Sequence, residues 1–260
     1  MKIYSWNVYC FNRTMPEVAR HIETLDFDVL CLQEVTPALL ERLKALPYHL
    51  TYHVDVLRLL PGNRREYNYV AILSKRPFVN TGTMQFFDFP FPFHTRVFVS
   101  LMSFFEWSFI TERGAVYADI EENGSVLRIF SVHLTLWGPV NRVKEFDVVA
   151  DHIQPGAPAV VCGDFNIIEY APMKILNWIL GAPLREGMPW YPERDLFEER
   201  FARVGLRNPL RAQITHPFSR SQLDHILVSE ELRTKDPTVY LERHGSDHQL
   251  VSVELLRETD

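Results

Sequence analysis

The chain has 260 residues, of which 47% are hydrophobic and 23% charged, with 27 Lys and Arg against 33 Asp and Glu. This excludes a disordered chain and leaves ample apolar mass for a core, while a net charge of −6 argues against a global electrostatic grip on nucleic acid. Three scattered cysteines (Cys10, Cys31 and Cys162) read as thiols of a reducing compartment rather than a disulfide framework. Residues 2–8 form the first predicted strand, and a strand so early leaves no room for a secretory signal, so a cytoplasmic location is expected. Thr14-Met15-Pro16-Glu17 offers an N-cap, an early Pro and a Glu three residues on, a capping box followed by Val18, Ile22 and Leu25 at helical spacing. Residues 29–32 make a continuous apolar strand running into Gln33-Glu34. Thr36-Pro37 opens a second helix with Leu39, Leu40, Leu43 and Leu46 on its inner face.

Residues 69–74 read as a strand, and residues 115–121 and 125–134 as two more, joined around Asn123-Gly124 as a hairpin. A helix is predicted over 139–153, with Val143, Phe146, Val149, Ala150 and Ile153 as its apolar stripe. A short buried strand over 159–162 runs into Gly163-Asp164. Helices over 173–180 and 196–204, then strands over 222–229, 238–242 and 249–256, complete the chain. No linker or low-complexity tract interrupts this alternation, so residues 1–260 form one α/β domain of two packed sheets flanked by helices. The strands leading to Glu34 and Asp164 share a Val-x-Cys core, a hint of internal duplication.

The polar residues at the strand ends repeat one theme: Asn7, Glu34, His133, Asp164, Asn166, Asp224, Asp247 and His248. Singly, each reads as a cap, a turn former or a satisfied core histidine; together, in this order, they read as a site. Glu34, Asp164 and Asp247 are hard oxygen donors and Asn7 and Asn166 neutral ones, an inventory for Mg²⁺ or Mn²⁺ rather than zinc. Two histidines and a spare carboxylate add acid–base capacity. With neither a serine nucleophile elbow nor a Walker-type glycine loop, water is the expected attacker. The reaction class is metal-assisted hydrolysis, and Mg²⁺ favours a phosphate ester over a peptide.

Ser5-Trp6-Asn7-Val8, Leu32-Gln33-Glu34, Ala71-Ile72-Leu73-Ser74, Val132-His133-Leu134, Gly163-Asp164-Phe165-Asn166, Leu223-Asp224-His225-Ile226-Leu227 and Ser246-Asp247-His248 stand in succession along the chain. This series resembles the motifs of the endonuclease/exonuclease/phosphatase superfamily, which includes deoxyribonuclease I and exonuclease III. The resemblance implies a four-layer α/β sandwich of the deoxyribonuclease I type, with the site at one edge of two packed sheets. It implies Glu34 as the principal Mg²⁺ ligand, with Asn7 and Asp247 in the metal environment. Asp164 would orient or deprotonate the attacking water, and Asn166 would hold a phosphate oxygen. Asp224 and His248 would form an Asp–His pair, and His133 would bind the phosphate or protonate the leaving group. Two departures matter: Tyr9 stands where apurinic-site endonucleases and tyrosyl-DNA phosphodiesterases carry Asp, and the Glu expected to support His133 has no clear place within residues 65–69.

Three functions follow: a nuclease-type phosphodiesterase on nucleic acid or nucleotide, a phosphoesterase on phospholipid or phosphorylated small molecule, and a catalytically silent binding protein. A monomer is expected in each case. Arg200, Arg203, Arg207, Arg211 and Arg220 approach the site with no acid between residues 200 and 220, either to track phosphates or as a solvated surface. Arg64 and Arg65 add weaker basic content in a predicted loop beside Pro61-Gly62. Residues 86–109 hold nine of the 18 phenylalanines, with Trp107, Pro90 and Pro92. The run 97–105 is too short to span a bilayer and reads as a buried strand or helix. Residues 104–109 arrive at the edge of His133 and are expected to form an apolar lip, stacking on bases or touching a membrane transiently.

Overall fold

The computed structural model describes residues 1–60, 64–87, 92–95, 97–98, 109–122, 124–154 and 156–256; besides the helical residues 93–95 and 97–98 they form thirteen strands and five α-helices. The first half comprises β1 (Lys2–Asn7), α1 (Met15–Thr24), β2 (Val29–Val35), α2 (Pro37–Lys44), β3 (His49–Leu60), β4 (Arg64–Ser74), β5 (Phe78–Gln85), β6 (Phe109–Thr111) and β7 (Gly114–Glu122). The second comprises β8 (Ser125–His133), α3 (Pro139–Ala150), β9 (Ala159–Asp164), α4 (Ile175–Ile179), α5 (Glu193–Arg203), β10 (Leu206–Arg207), β11 (Asp224–Ser229), β12 (Thr234–Val239) and β13 (Val251–Leu255).

Parallel neighbours require a crossover, and the chain makes two of them. β1 and β2 pair in parallel across α1, and β8 and β9 pair in parallel across α3. Antiparallel strands extend both pairs into sheets of order β12-β13-β1-β2-β4-β3-β6 and β10-β11-β9-β8-β7-β5. From β12 to β3 and from β10 to β5 the sense of pairing repeats, parallel only at the centre. In chain order β1-α1-β2, with β4 and then β3 beside β2, repeats as β8-α3-β9, with β11 and then β10 beside β9, so β1 matches β8 and β2 matches β9. The shared Val-x-Cys core falls on β2 and β9, which hold the same place in that repeat: Cys31 pairs with Ser5 and Cys162 with Ser131.

The period-2 alternation of side chains builds the layers. Ile3, Val29, Cys31, Ile129, Val160, Cys162 and Ile226 face the gap between the sheets. Tyr4, Trp6, Leu30 and Leu32 face the other way, against Val18 and Ile22 of α1 and Leu39 and Leu43 of α2. On the far side Phe130, Val132 and Val161 pack with Phe146 of α3 and Phe197 and Phe201 of α5. The result is the expected four-layer α/β sandwich. No helix among the described residues is long and apolar enough to cross a membrane.

Several local expectations change. Thr14 makes no capping bond to α1: its φ of −104° and ψ of 28° depart from the extended backbone of a cap, and its hydroxyl is turned to Asn12 Oδ1 and the His244 carbonyl, both at 2.8 Å. Thr36 does cap α2, accepting from Leu39 N at 3.3 Å. Arg64 and Arg65 lie in β4, opposite Leu60 and Leu59, and not in a loop. α5 begins three residues before the predicted helix, and β12 at Thr234 rather than residue 238. The predicted lip, residues 104–109, and the run 97–105 lie almost wholly outside the described residues. Before them, Phe86 is buried in the core whereas Phe87 is exposed.

Gly163 shows how tightly the central strands approach. It pairs with Val132 at φ +147°, and an added Cβ would stand 1.9 Å from the Val132 carbonyl oxygen. Gly163→Ala is expected to cost about 3 kcal/mol through overpacking and backbone strain. A urea titration with an unchanged midpoint would contradict this.

Candidate active site

The inward row of each central strand turns from apolar to polar at one edge of the sandwich. Ile3 and Ser5 lead to Asn7, Ile129 and Ser131 to His133, Val160 and Cys162 to Asp164, and Val228 and Ile226 to Asp224. Gln33 closes the apolar gap beneath, donating to Ser5 Oγ at 3.4 Å and Ser131 Oγ at 3.2 Å. Two β-bulges bring further carboxylates to this edge. Between Leu32 and Val35 the β2–β4 register shifts, and Glu34 adopts φ 57°, at a cost on the order of 1 kcal/mol for a non-glycine residue. Between Val54 and Val56 the β3–β4 register also shifts, leaving Asp55 out of the pairing and aiming its buried side chain at His133.

Two imidazoles, each held by its own carboxylate, converge on Asp164. His133 Nδ1 donates to Asp55 Oδ2 at 2.7 Å, and His248 Nδ1 donates to Asp224 Oδ2 at 2.9 Å. Those bonds turn the Nε2 atoms inward, to 3.7 Å and 3.6 Å from Asp164 Oδ2. Burial disfavours the charged imidazoles, but the surrounding carboxylates outweigh it: Asp55 and Asp164 hold His133 at about 9, and Asp224 and Asp164 hold His248 at about 10. Asp164 shows the reciprocal effect. Burial pushes its carboxyl up, yet His248 and His133 bring it below the usual carboxylate value.

Backbone and amide bonds fix the remaining members. Asn7 Nδ2 donates to Glu34 Oε1 at 3.1 Å and Asp164 Oδ2 at 3.0 Å, so one amide bridges the two carboxylates. Cys10 N donates to Glu34 Oε2 at 2.9 Å. Asn166, in the left-handed region at φ 54°, donates from its backbone to Asp164 Oδ1 and from Nδ2 to the Leu134 carbonyl, both at 2.8 Å. Ser246 Oγ donates to the Asn7 carbonyl at 2.7 Å and accepts from His248 N at 3.0 Å, tying the Ser246-Asp247-His248 turn to the end of β1. Asp247 Oδ1 is buried, with no hydrogen-bond partner. Glu34, Asn7 and Asp247 all carry hard oxygen donors, and that unpartnered oxygen fits a divalent cation.

Two residues of the site escaped the sequence reading. The acid supporting His133 is Asp55, not a residue within 65–69. Its signal was a single acid in the apolar alternation of β3, but only the bulge aims it. His216 packs tilted against His248, with ring centroids 4.7 Å apart, and approaches Asp247 Oδ2 at 3.7 Å. The arginine series disperses. Arg200 pairs with Asp147, Arg203 with Glu199, and Arg207 with Leu232 O and Thr234, whereas Arg220 lies over the Tyr170 ring.

The model of the Endonuclease/Exonuclease/phosphatase family matches residues 4–248. No curated protein matches the chain. Among solved structures, an endonuclease/exonuclease/phosphatase from Beutenbergia cavernae superposes with TM-score 0.69 at 20% identity, over 98% of this chain and 71% of that one. A family protein from Leptotrichia buccalis gives TM-score 0.69 at 17% identity, over 99% and 100%. Mannosyl-6-phosphatase from Bacteroides thetaiotaomicron gives 0.62 at 18%, over 99% and 100%. At these identities the likeness is one of fold.

The raised histidines predict a pH dependence of stability. Groups that bind protons more tightly when folded stabilise fully below the unfolded value of about 6.5 and lose that contribution as pH rises through the folded values. For His133 and His248 those are about 9 and about 10, so denaturation midpoints should fall between pH 6.5 and 10. Asp55→Asn should shrink the fall; identical slopes in the two proteins would contradict the His133 assignment.

Proposed function

The chain belongs to the endonuclease/exonuclease/phosphatase family of phosphoric ester hydrolases, and from that footing we propose that it cleaves a phosphodiester with water, in a nuclease-type reaction on nucleic acid or a nucleotide. The convergence of two carboxylate-held imidazoles on one buried Asp164 oxygen supports this reading most strongly. Asp164, kept ionised by its neighbours, accepts the hydrogen bond of the attacking water and takes its proton as the new P–O bond forms. His248 and the second Nδ2 hydrogen of Asn166 hold the non-bridging oxygens. His133 gives its Nε2 proton to the leaving oxygen as the old P–O bond breaks. Asp55 and Asp224 keep each Nδ1–H in place, so the reactive nitrogen faces the phosphate. Glu34 and Asp247, with Asn7 beside them, would hold a divalent cation. Bound there, it supplies charge neutralisation on the phosphate.

The surroundings favour a short or single-stranded substrate over a long duplex. Four of the five arginines at 200–220 have local partners, leaving little basic surface for tracking a backbone. Exposed Phe11 and Phe218, against Tyr9 and His216 respectively, give aromatic faces next to the site on which bases stack. A phosphorylated small molecule or phospholipid is the second reading. Exposed Leu136, close after His133, and the likeness to mannosyl-6-phosphatase favour it. Three cysteines outside any disulfide are consistent with a cytoplasmic setting.

Hydrolysis of bis-(p-nitrophenyl) phosphate with Mg²⁺ or Mn²⁺ tests the reaction. Asp164→Asn should lower kcat about 10²- to 10⁴-fold, and Glu34→Gln should raise the metal concentration required. No turnover by the intact chain with either metal would leave a binding protein as the better reading. A panel of single-stranded DNA, RNA, sphingomyelin and sugar phosphates tests the substrate; preference for a lipid or sugar phosphate would replace the nuclease reading.

A further inference from the structure

His216 lies in a tight turn outside the named strands, bridged to Ser221 and followed by Pro217. His216 Nδ1 lies 2.8 Å from Ser219 Oγ and 3.2 Å from the Ser219 backbone N–H; the backbone group can only donate, so that nitrogen is the acceptor, the hydroxyl donates to it as well, and the neutral ring carries its hydrogen on Nε2. Nε2 faces Asp247 Oδ2 at 3.7 Å. The ring is held against His248 at 4.7 Å and Phe218 at 6.2 Å. The two oxygens of Asp247 therefore differ. Oδ2 faces an imidazole N–H, while Oδ1 is buried without a hydrogen-bond partner, 3.9 Å from His248 Nε2.

We propose that His216 is a positioning residue for Asp247: its Nε2–H, 3.7 Å from Oδ2, attracts that oxygen and so directs Oδ1 toward a divalent cation. This rests on the reading of Asp247 as a metal-holding carboxylate. A carboxylate on a turn has free χ rotation, and an exposed partial face, so without an anchor Oδ1 and Oδ2 exchange roles. His216, Asp247 and His248 also form a cluster whose ligand atoms lie within 4.8 Å of one another, which raises the alternative that His216 is itself a ligand. The Ser219 bond argues against that. A ring whose Nδ1 accepts a backbone N–H has no Nε2 lone pair to offer a metal.

The test is Mn²⁺ titration of the full chain by calorimetry, beside kcat and KM for bis-(p-nitrophenyl) phosphate at saturating Mn²⁺. His216→Phe keeps the ring packing and removes the donor. His216→Asn keeps an amide that ends near the Nδ1 position and cannot reach Asp247. Both should weaken Mn²⁺ binding about 10- to 100-fold, the usual cost of losing a partner of a ligand, with kcat largely restored when metal saturates. His216→Gln, whose amide nitrogen reaches the Nε2 position, should bind Mn²⁺ close to the wild-type value. Thermal melts in EDTA separate these effects from loss of fold, and a destabilised Phe variant leaves the Asn and Gln pair to decide. Wild-type Mn²⁺ affinity in a folded His216→Phe or His216→Asn overturns the proposal. So does Zn²⁺ binding tighter than Mn²⁺ that all three variants abolish, since His216 is then a ligand. Asp247→Asn is the control: unchanged Mn²⁺ affinity there means the reading of Asp247 has failed, whereas weakened binding there with no effect at position 216 means only this proposal has.

Discussion

Asp164 Oδ2 is buried between two imidazole nitrogens, and the geometry around it sets what every other site residue can do. A buried carboxylate is tolerated only when paired and hydrogen-bonded. Asp164 receives the Asn7 amide and the Asn166 backbone N–H directly, and the fields of His133 and His248. Each imidazole is stabilised in turn by a second buried acid, Asp55 or Asp224. The chain of alternating charge runs from β3 through β8 and β9 to β11, across strands of both sheets. The relative position of the sheets is thereby a determinant of the chemistry, and the apolar gap between them is what holds that position.

A second buried layer supports the first. Arg113 pairs with Glu145 at 3.0 Å and donates to the carbonyl of His133, while Glu145 Oε2 accepts from Thr135 N at 2.6 Å. Arg142, wholly buried in α3, pairs with Glu193 of α5 and donates to Thr135 O and Asn177. These pairs saturate the chain where β8 leaves the sheet, so the loop after His133 is fixed by ionic bonds rather than by packing alone. Removing one partner of such a pair strands a buried charge, which is why they constrain geometry more than they add net stability.

Much of this was legible in the sequence because the alternation of the central strands carries it. Apolar runs ending in Asn7, Glu34, His133, Asp164 and Asp224 marked both the strands and the edge where they stop. What escaped depends on backbone irregularity. Nothing in the composition of β3 announces a bulge at Asp55, and a one-residue shift decides whether that acid faces His133 or solvent. The Thr14 capping box failed because the chain there is not extended, and Asn12 and His244, the latter distant in sequence, orient its hydroxyl away from the helix. The arginines at 200–220 were visible as a charge run, but their partners, Asp147, Glu199 and Leu232, are known only from the packing of α5 and β12. His216 lacked a strand to frame it, and only its approach to His248 and Asp247 gives it meaning.

The central claim is that Asp164 stays ionised between two protonated imidazoles at neutral pH. Titration of the His133 and His248 ring nitrogens by NMR, on metal-free protein with Asp164→Asn alongside, tests it most directly. Both rings should titrate well above the ordinary value of about 6.5, near 9 and 10, and both should fall in Asp164→Asn. Rings that titrate near 6.5 in the wild-type protein, or that do not respond to loss of the Asp164 charge, would contradict it.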